Sequence, residues 1–393
     1  MSLDLEISFC YCLSVNVSDN VTGIIYRMQR IFAPMFQRKR VGIKDIAKQA
    51  GVSTATVSRV INDHPDVSPE TRQMVNQVIE RLGYQPSNLA RSLIQGRSRT
   101  LGVVSSGMKY FGPSSIISAI EERASVLGYS VLLSLVRQPE TNDVDPILSE
   151  LLSRHVDGIV WAVPEIGNNR DWLEETLPGI SVPVVFLSMR PRSGFSVVEY
   201  DNRGGARMAT RHLIDQGYRS IGLIAGPLEW WAARQRQLGW QDALEEAHMS
   251  IQESLIVEGD WLPSSGELGL YRLLERRKDV DAVFACNDQM ALGALKAANF
   301  MGLQVPGDLA VVGFDDVPEA AYYCPPLTTV RQDMVALGHS AMQELGRLID
   351  SLEAGKDGVE PNSIWIQPQL VVRRSSSGSQ LAIDKQGGGT RNN

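Results

Sequence analysis

The 393-residue sequence predicts a small N-terminal all-α head joined to a larger two-lobed α/β body. Three observations predict this. Short amphipathic helices punctuated by Gly and Pro precede residue 85, seven continuous apolar runs follow residue 100, and helical patterning fills the spaces between those runs. From residue 101 to 373 the strand–helix units outnumber what one open sheet usually holds, so two doubly wound parallel sheets are expected.

Residues 1–37 show neither periodicity nor caps and are expected to be a disordered extension or a misassigned start, with Met28 and Met35 just ahead of a basic segment. Residues 38–84 form the head. Gln85-Pro86-Ser87 combines a turn signal with a helix-start signal and opens a linker over 85–100. The body then spans 101–373. Its strands are expected in LGVVSS (101–106), YSVLLSLV (129–136), DGIVWAV (157–163), VPVVFLS (182–188), SIGLIAG (220–226), DAVFACND (281–288) and LAVVGFDD (309–316). Their unbroken apolarity suits strands covered by helices on both faces. Polar residues gather at strand ends, in Ser188, Asp260-Trp261, Asn287-Asp288 and Asp315-Asp316, the edge where such sheets take ligands. The Ser- and Gly-rich residues 374–393 are expected to be a disordered tail.

Composition narrows the function classes. Hydrophobic residues make up 43% and charged residues 21%, and no stretch approaches the ~18 consecutive apolar residues of a membrane span. The apolar run from Ile7 to Val17 follows Asp4 and Glu6 where an export signal would be basic. Cys10, Cys12, Cys286 and Cys324 are too scattered for a disulfide framework or a metal site, so a reducing cytoplasm and no cofactor are expected. The net charge is −7, yet between Arg38 and Thr100 there are 11 Lys/Arg against 5 Asp/Glu. Such asymmetry points to one module for an anionic partner on an acidic body.

That module contains IKDIAKQAGVSTATVSRVIN, residues 43–62. Ile43, Ile46 and Ala47 share one face of a first helix, Gly51 permits a tight turn, Val52 plugs the corner and Ser53 is placed to cap a second helix. Val57, Val60 and Ile61 then face inward. Thr54, Ala55, Ser58 and Arg59 face outward, and Asn62 closes the segment as a further candidate. This is the layout of a helix-turn-helix whose second helix enters the DNA major groove, where Arg59 can offer two parallel donors to guanine.

With these residues the chain resembles the lactose/galactose repressor (LacI/GalR) family, from about Val41 to Arg373. The resemblance implies a periplasmic-binding-protein-like body, a third head helix from Ser68 to Leu82, and a hinge helix over SNLARSLIQ (87–95). Nine residues are too few for a helix to persist alone in water. The family pattern implies that paired hinge helices of a homodimer lie in the minor groove of a palindromic operator, with Ala90 and Leu93 as contacts and Leu93 as the wedge.

In the body, LIAGPLEWWAARQRQLGW (223–240), ACNDQMALGALKA (285–297) and VVGFDDVPEAAYYCPPLTTVRQD (311–333) lean toward the lactose-repressor branch. Carried over by position, Arg234, Asn287 and Asp315 resemble residues that bind sugar hydroxyls. Trp261 resembles the platform under the sugar ring, and Gln332 a further polar contact. A guanidinium fork, a carboxylate, an amide and an indole suit a polyol by their chemistry alone. Ser188 departs from the pattern, as do Lys109, Tyr110 and Phe111 in the first-strand loop, which leaves the particular sugar open. The expected function is a repressor released from its operator by a sugar or sugar derivative. The alternatives are a corepressed member, answering to a purine-like ligand or a protein partner, and a sugar-binding protein or enzyme on the same fold. Neither G-x-G-x-x-G, a P-loop, H-E-x-x-H nor G-x-S-x-G occurs, so an enzyme is not expected.

Overall fold

A computed structural model describes residues 41–84, 97–108, 110–355 and 360–377. The chain divides into two compact units, the first ending at Gln95 and the second starting at Gly96.

The first unit holds α1 (Ile43–Ala50), α2 (Thr54–Ile61) and α3 (Pro69–Leu82). Their apolar faces meet in a core of Ile46, Ala47, Ala50, Val57, Val60, Val75 and Val78, with Val52 and Ile61 half-buried at its edge. Gly51 takes the left-handed conformation at φ 65° that ends α1, and its N–H bonds the Ala47 carbonyl. Ser68 accepts from the Thr71 N–H at 3.3 Å to start α3, and Pro69 occupies the first turn, where its missing N–H is no loss.

The second unit contains two six-stranded sheets. The first lobe uses β1 (Thr100–Ser105), β2 (Ser130–Leu135), β3 (Gly158–Ala162), β4 (Val184–Leu187), β5 (Ser196–Tyr200) and, from much later in the chain, β11 (Ser363–Ile366), in the order β11-β5-β4-β3-β1-β2. All its pairings are parallel. The second lobe is ordered β12-β10-β9-β8-β6-β7 from β6 (Ile221–Ala225), β7 (Ile256–Glu258), β8 (Ala282–Ala285), β9 (Ala310–Asp315), β10 (Thr328–Arg331) and β12 (Gln369–Val371). Its edge strand β12 runs antiparallel to β10, the one departure from two parallel sheets among the described strands. Helices α4 (Phe111–Val126), α5 (Asp145–Ser153) and α6 (Trp172–Thr176) belong to the first lobe, and α7 (Asn202–Asp215), α8 (Trp231–Glu246), α9 (Pro263–Arg276) and α10 (Asp288–Phe300) to the second. The last helix, α11 (Met334–Glu353), packs back on β3, β4 and β5. The chain therefore crosses between lobes three times, at 200–202, 331–334 and 366–369.

All seven expected strands are present, and β2 corrects one expectation about them. It is an edge strand, so Leu133 and Leu135 are exposed rather than covered on both faces. Two boundaries also move. Ser98 and Arg99 donate from their main-chain N–H groups to the two oxygens of Asp157 at 2.8 and 2.9 Å, so the end of the expected linker is part of the body. Ser375 and Ser376, expected in the tail, are fully buried. Ser375 accepts from the Thr328 N–H at 2.8 Å and donates to the Val311 carbonyl at 2.6 Å. A serine-rich stretch reads as tail by composition, but here its hydroxyls close main-chain groups at a sheet margin.

Candidate nucleic-acid interface and ligand cleft

In the head, the Ser53 hydroxyl accepts from the Thr56 N–H at 3.0 Å, which settles the first turn of α2. Thr54, Ala55, Arg59 and Asn62 are exposed, and Ser58 is half-buried. Asn62 spends part of its capacity within the helix, donating to the Ser58 hydroxyl at 3.4 Å. Basic residues divide into two groups. Arg81 donates to Gln49 at 2.7 Å, and Arg72 donates to the His64 carbonyl at 2.7 Å and pairs with Asp63, so both brace the fold. Lys44, Lys48 and Arg59 are exposed and make no ion pair among the described residues, which leaves their charge for an outside anion. Ala90, Leu93 and the expected hinge helix lie outside the described residues.

In the body, the carboxyl ends of strands from both lobes face a single cleft. The first lobe contributes Tyr110, Ser188, Glu199 and Tyr200. The second contributes Trp230, Arg236, Trp261, Asn287, Asp315 and Gln332. Backbone strain collects here, since Ser188, Trp261 and Asp315 hold φ values of 51°, 72° and 111° without being glycine. Trp261 sits over Gly226, where an added Cβ would fall 2.1 Å from the indole ring. A main-chain bridge spans the lobes beside the cleft. Gly167 donates to the Glu229 carbonyl and Trp231 to the Glu165 carbonyl, both at 2.9 Å, around a bridge between Ile166 and Trp230.

Arg236 organises the polar floor. Its Nε donates to Asn202 Oδ1 at 2.8 Å, Nη1 donates to the Cys286 carbonyl, and Nη2 stands 3.6 Å from Asp315 Oδ1. The guanidinium carbon lies 3.9 Å from the centre of the Phe314 ring and 5.5 Å from that of Trp261. Burial pushes the Asp315 carboxyl up to about 6, against the pull of Arg236. The wide Arg236–Asp315 contact is longer than a direct hydrogen bond and leaves both groups capacity for a ligand oxygen.

The expected site residues fare unequally. Trp261, Asn287, Asp315 and Gln332 all line the cleft. Asn287 is largely committed already, because its Oδ1 caps α10 through the Met290 N–H at 2.8 Å and its amide donates to the Trp261 carbonyl at 3.0 Å. One amide hydrogen remains for a ligand. Arg234 is a correction. Its guanidinium clamps the carbonyls of Leu228 and Glu229 at 2.9 and 2.8 Å, and Arg236 occupies the cleft in its place. Residues two apart on a helix point about 200° apart, so only one of these arginines can face the floor. The two aspartates of Asp315-Asp316 also diverge. Asp316 accepts from Arg331 and Arg373, each at 2.7 Å, and serves the sheet.

Sequence reasoning missed Arg236, Glu199 and Asn202. For Glu199 a signal was present, namely a carboxylate in the otherwise apolar stretch SVVEY. Its Oε1 accepts from the Tyr200 N–H at 2.8 Å and from Asn202 at 3.1 Å, and burial pushes its carboxyl up to about 8.

Comparison with known proteins adds two matched regions. Residues 42–87 match the family described as bacterial regulatory proteins, lacI family, and residues 210–376 match a periplasmic binding protein-like domain. The HTH-type transcriptional repressor PurR of Haemophilus influenzae is 36% identical over 336 residues, covering 85% of this chain and 98% of that protein. PurR of Mannheimia succiniciproducens is 36% identical over 340 residues, covering 85% and 98%. The lac repressor dimer bound to operator and the anti-inducer ONPF superposes with a TM-score of 0.78 at 33% identity, covering 86% of this chain and 100% of that one. A complex of the transcriptional regulator CelR with cellobiose superposes with a TM-score of 0.63 at 33% identity, with the same coverage.

Proposed function

We propose a ligand class and a direction of switching for this chain, which belongs to the lacI family of bacterial regulatory proteins and is a DNA-binding transcriptional repressor with a ligand-binding body. The ligand is an uncharged sugar or sugar derivative, and its binding releases the operator. The observation that carries this reading is the convergence of Arg236, Asp315, Asn202 and Gln332 beside the Trp261 indole in one interlobe cleft. A pyranose offers that arrangement paired hydroxyls for the polar floor and a weakly apolar face for the ring. Among the described residues lining the cleft the one cation is Arg236, and its charge already faces that of Asp315, which favours an uncharged ligand.

In the head, α2 reads base edges through Thr54, Ala55, Ser58, Arg59 and Asn62. The operator is a palindrome bound by a homodimer, and ligand-driven closure of the lobes shifts the subunit contact around residues 101–130 so that hinge helices carrying Ala90 and Leu93 lose their pairing. The protein acts in the cytoplasm. A second reading, in which a purine tightens DNA binding, is favoured by the name of the PurR relatives.

Gel-shift titration on the chain's own promoter region, with lactose, cellobiose and maltose in one arm and hypoxanthine and guanine in the other, separates the two. Release by a sugar supports the first reading. Tightening by a purine with no response to sugars replaces it with the second.

A further inference from the structure

Among the described residues of the cleft, two buried polar atoms lack a hydrogen-bond partner, the Trp261 indole N–H and one carboxyl oxygen of Glu199, and the carboxyl group is the one that can carry or give up a charge. Glu199 stands at the carboxyl end of β5 and is 1% exposed. Its Oε1 is doubly satisfied by the Tyr200 N–H and the Asn202 amide, whereas Oε2 is buried without a hydrogen bond among the described residues. The Met189 N–H faces the carboxyl but makes no bond of normal geometry. Buried polar atoms are nearly always paired, and an orphan beside a ligand cleft marks the place of a missing partner. We propose that Glu199 Oε2 is a ligand contact that sets the specificity of this site, donating a hydrogen bond to a hydroxyl or carbonyl oxygen of an uncharged ligand. This rests on the sugar reading above and adds the residue that discriminates by charge.

The surroundings assign the donor role. Both lone-pair directions used at Oε1 take N–H donors, so the acid proton belongs on Oε2. The charged groups facing the carboxyl are Arg236 on α8, which favours its ionisation, and Glu165 after β3, which opposes it. Glu165 is itself held by Arg192 at 2.8 Å, and Tyr200, Asp315 and Asp333 complete the titratable set nearby. Burial outweighs Arg236, so the acid stays protonated to about pH 8. A carboxylate or phosphate ligand would meet Glu199 and Asp315 with Arg236 already engaged. An ammonium ligand would have to strip Glu199 of its proton and be desolvated in an aromatic cleft, a pairing that at best breaks even.

Calorimetric titration of the full chain tests this with cellobiose, lactose and maltose, and with glucosamine and gluconate as charged probes. For whichever neutral sugar binds, affinity should fall about fivefold between pH 8 and pH 9 as the donor proton is lost. E199M, an apolar variant of similar length, should lose at least tenfold at pH 7. E199Q, whose amide N–H replaces the acid O–H, should restore most of that loss and abolish the fall above pH 8. Sugar binding that is equal in E199M and wild type, or that falls alike above pH 8 in E199Q, overturns the role of Glu199 and leaves the sugar reading standing. Binding of glucosamine that strengthens with pH and vanishes in E199Q overturns it in favour of an ionic contact. If no sugar binds the wild type, both readings fall together.

Discussion

Arg59 and Trp261 show how much rests on single side chains in the two halves of this repressor. Arg59 is exposed on α2 and makes no ion pair among the described residues, so its guanidinium is available to a base edge. A bidentate arginine–guanine pair is worth about 1–3 kcal/mol of discrimination. Arg59→Ala should therefore reduce preference for the cognate operator over random DNA by roughly fivefold to 100-fold, measured by competition gel shift, while Lys48→Ala should weaken both DNAs alike and flatten the salt dependence. Unchanged preference in Arg59→Ala would move base reading elsewhere. Trp261 lies where only a glycine beneath it leaves room. Gly226→Ala would set a Cβ 2.1 Å from the ring, and the indole must shift. Affinity for the proposed sugar ligand should drop at least tenfold in calorimetry with the circular dichroism spectrum retained.

At the scale of elements, α2 is eight residues long and draws its order from its cap and from the core below it. Ser53→Ala removes the oxygen that receives the Thr56 N–H, at a cost of about 1 kcal/mol. The head should melt a few degrees lower by differential scanning, and operator affinity should weaken without a change in sequence preference. An altered preference would mean that Ser53 itself touches the DNA. The same reasoning explains why the head was legible early. Its caps, its left-handed glycine and its helical periodicity are all local signals. Elements β5, β7, β10, β11 and β12 were not foreseen as strands because they are short or mix Ser, Thr, Glu and Gln into apolar runs, and β11 finds its partner β5 only across more than a hundred residues of chain.

For the body as a whole, contacts between the lobes gather beside the cleft. Among the described residues these include three chain crossings, the bridge of Glu165–Gly167 with Glu229–Trp231, and the edge-to-face pair of Tyr110 and Trp230 at 6.3 Å. Trp230 takes part in both of the last two. Trp230→Ala should therefore loosen the contact between the lobes, weakening binding of the proposed ligand and shrinking the ligand-induced change in operator affinity at least threefold, within the ~5–150-fold range typical of such coupling. Parallel titrations of ligand and of operator measure the two effects. Coupling that survives intact would place the lobe contact outside the switch.

The sequence by itself determined the helix-turn-helix with its outward residues, the α/β character of the body and the strand ends bearing Asn287 and Asp315. Each of these is written in short-range patterns of period 3.6 or in apolar runs closed by polar residues. Tertiary structure decided which arginine enters the cleft, since Arg234 and Arg236 look alike in the chain and differ only in the helix face that the lobe contact selects. It also brought Glu199 from β5 of one lobe and Arg236 from α8 of the other onto Asn202, and turned Ser375 and Ser376 from tail into seam. Such pairings join residues far apart in the chain, and no local periodicity encodes the partner across a fold.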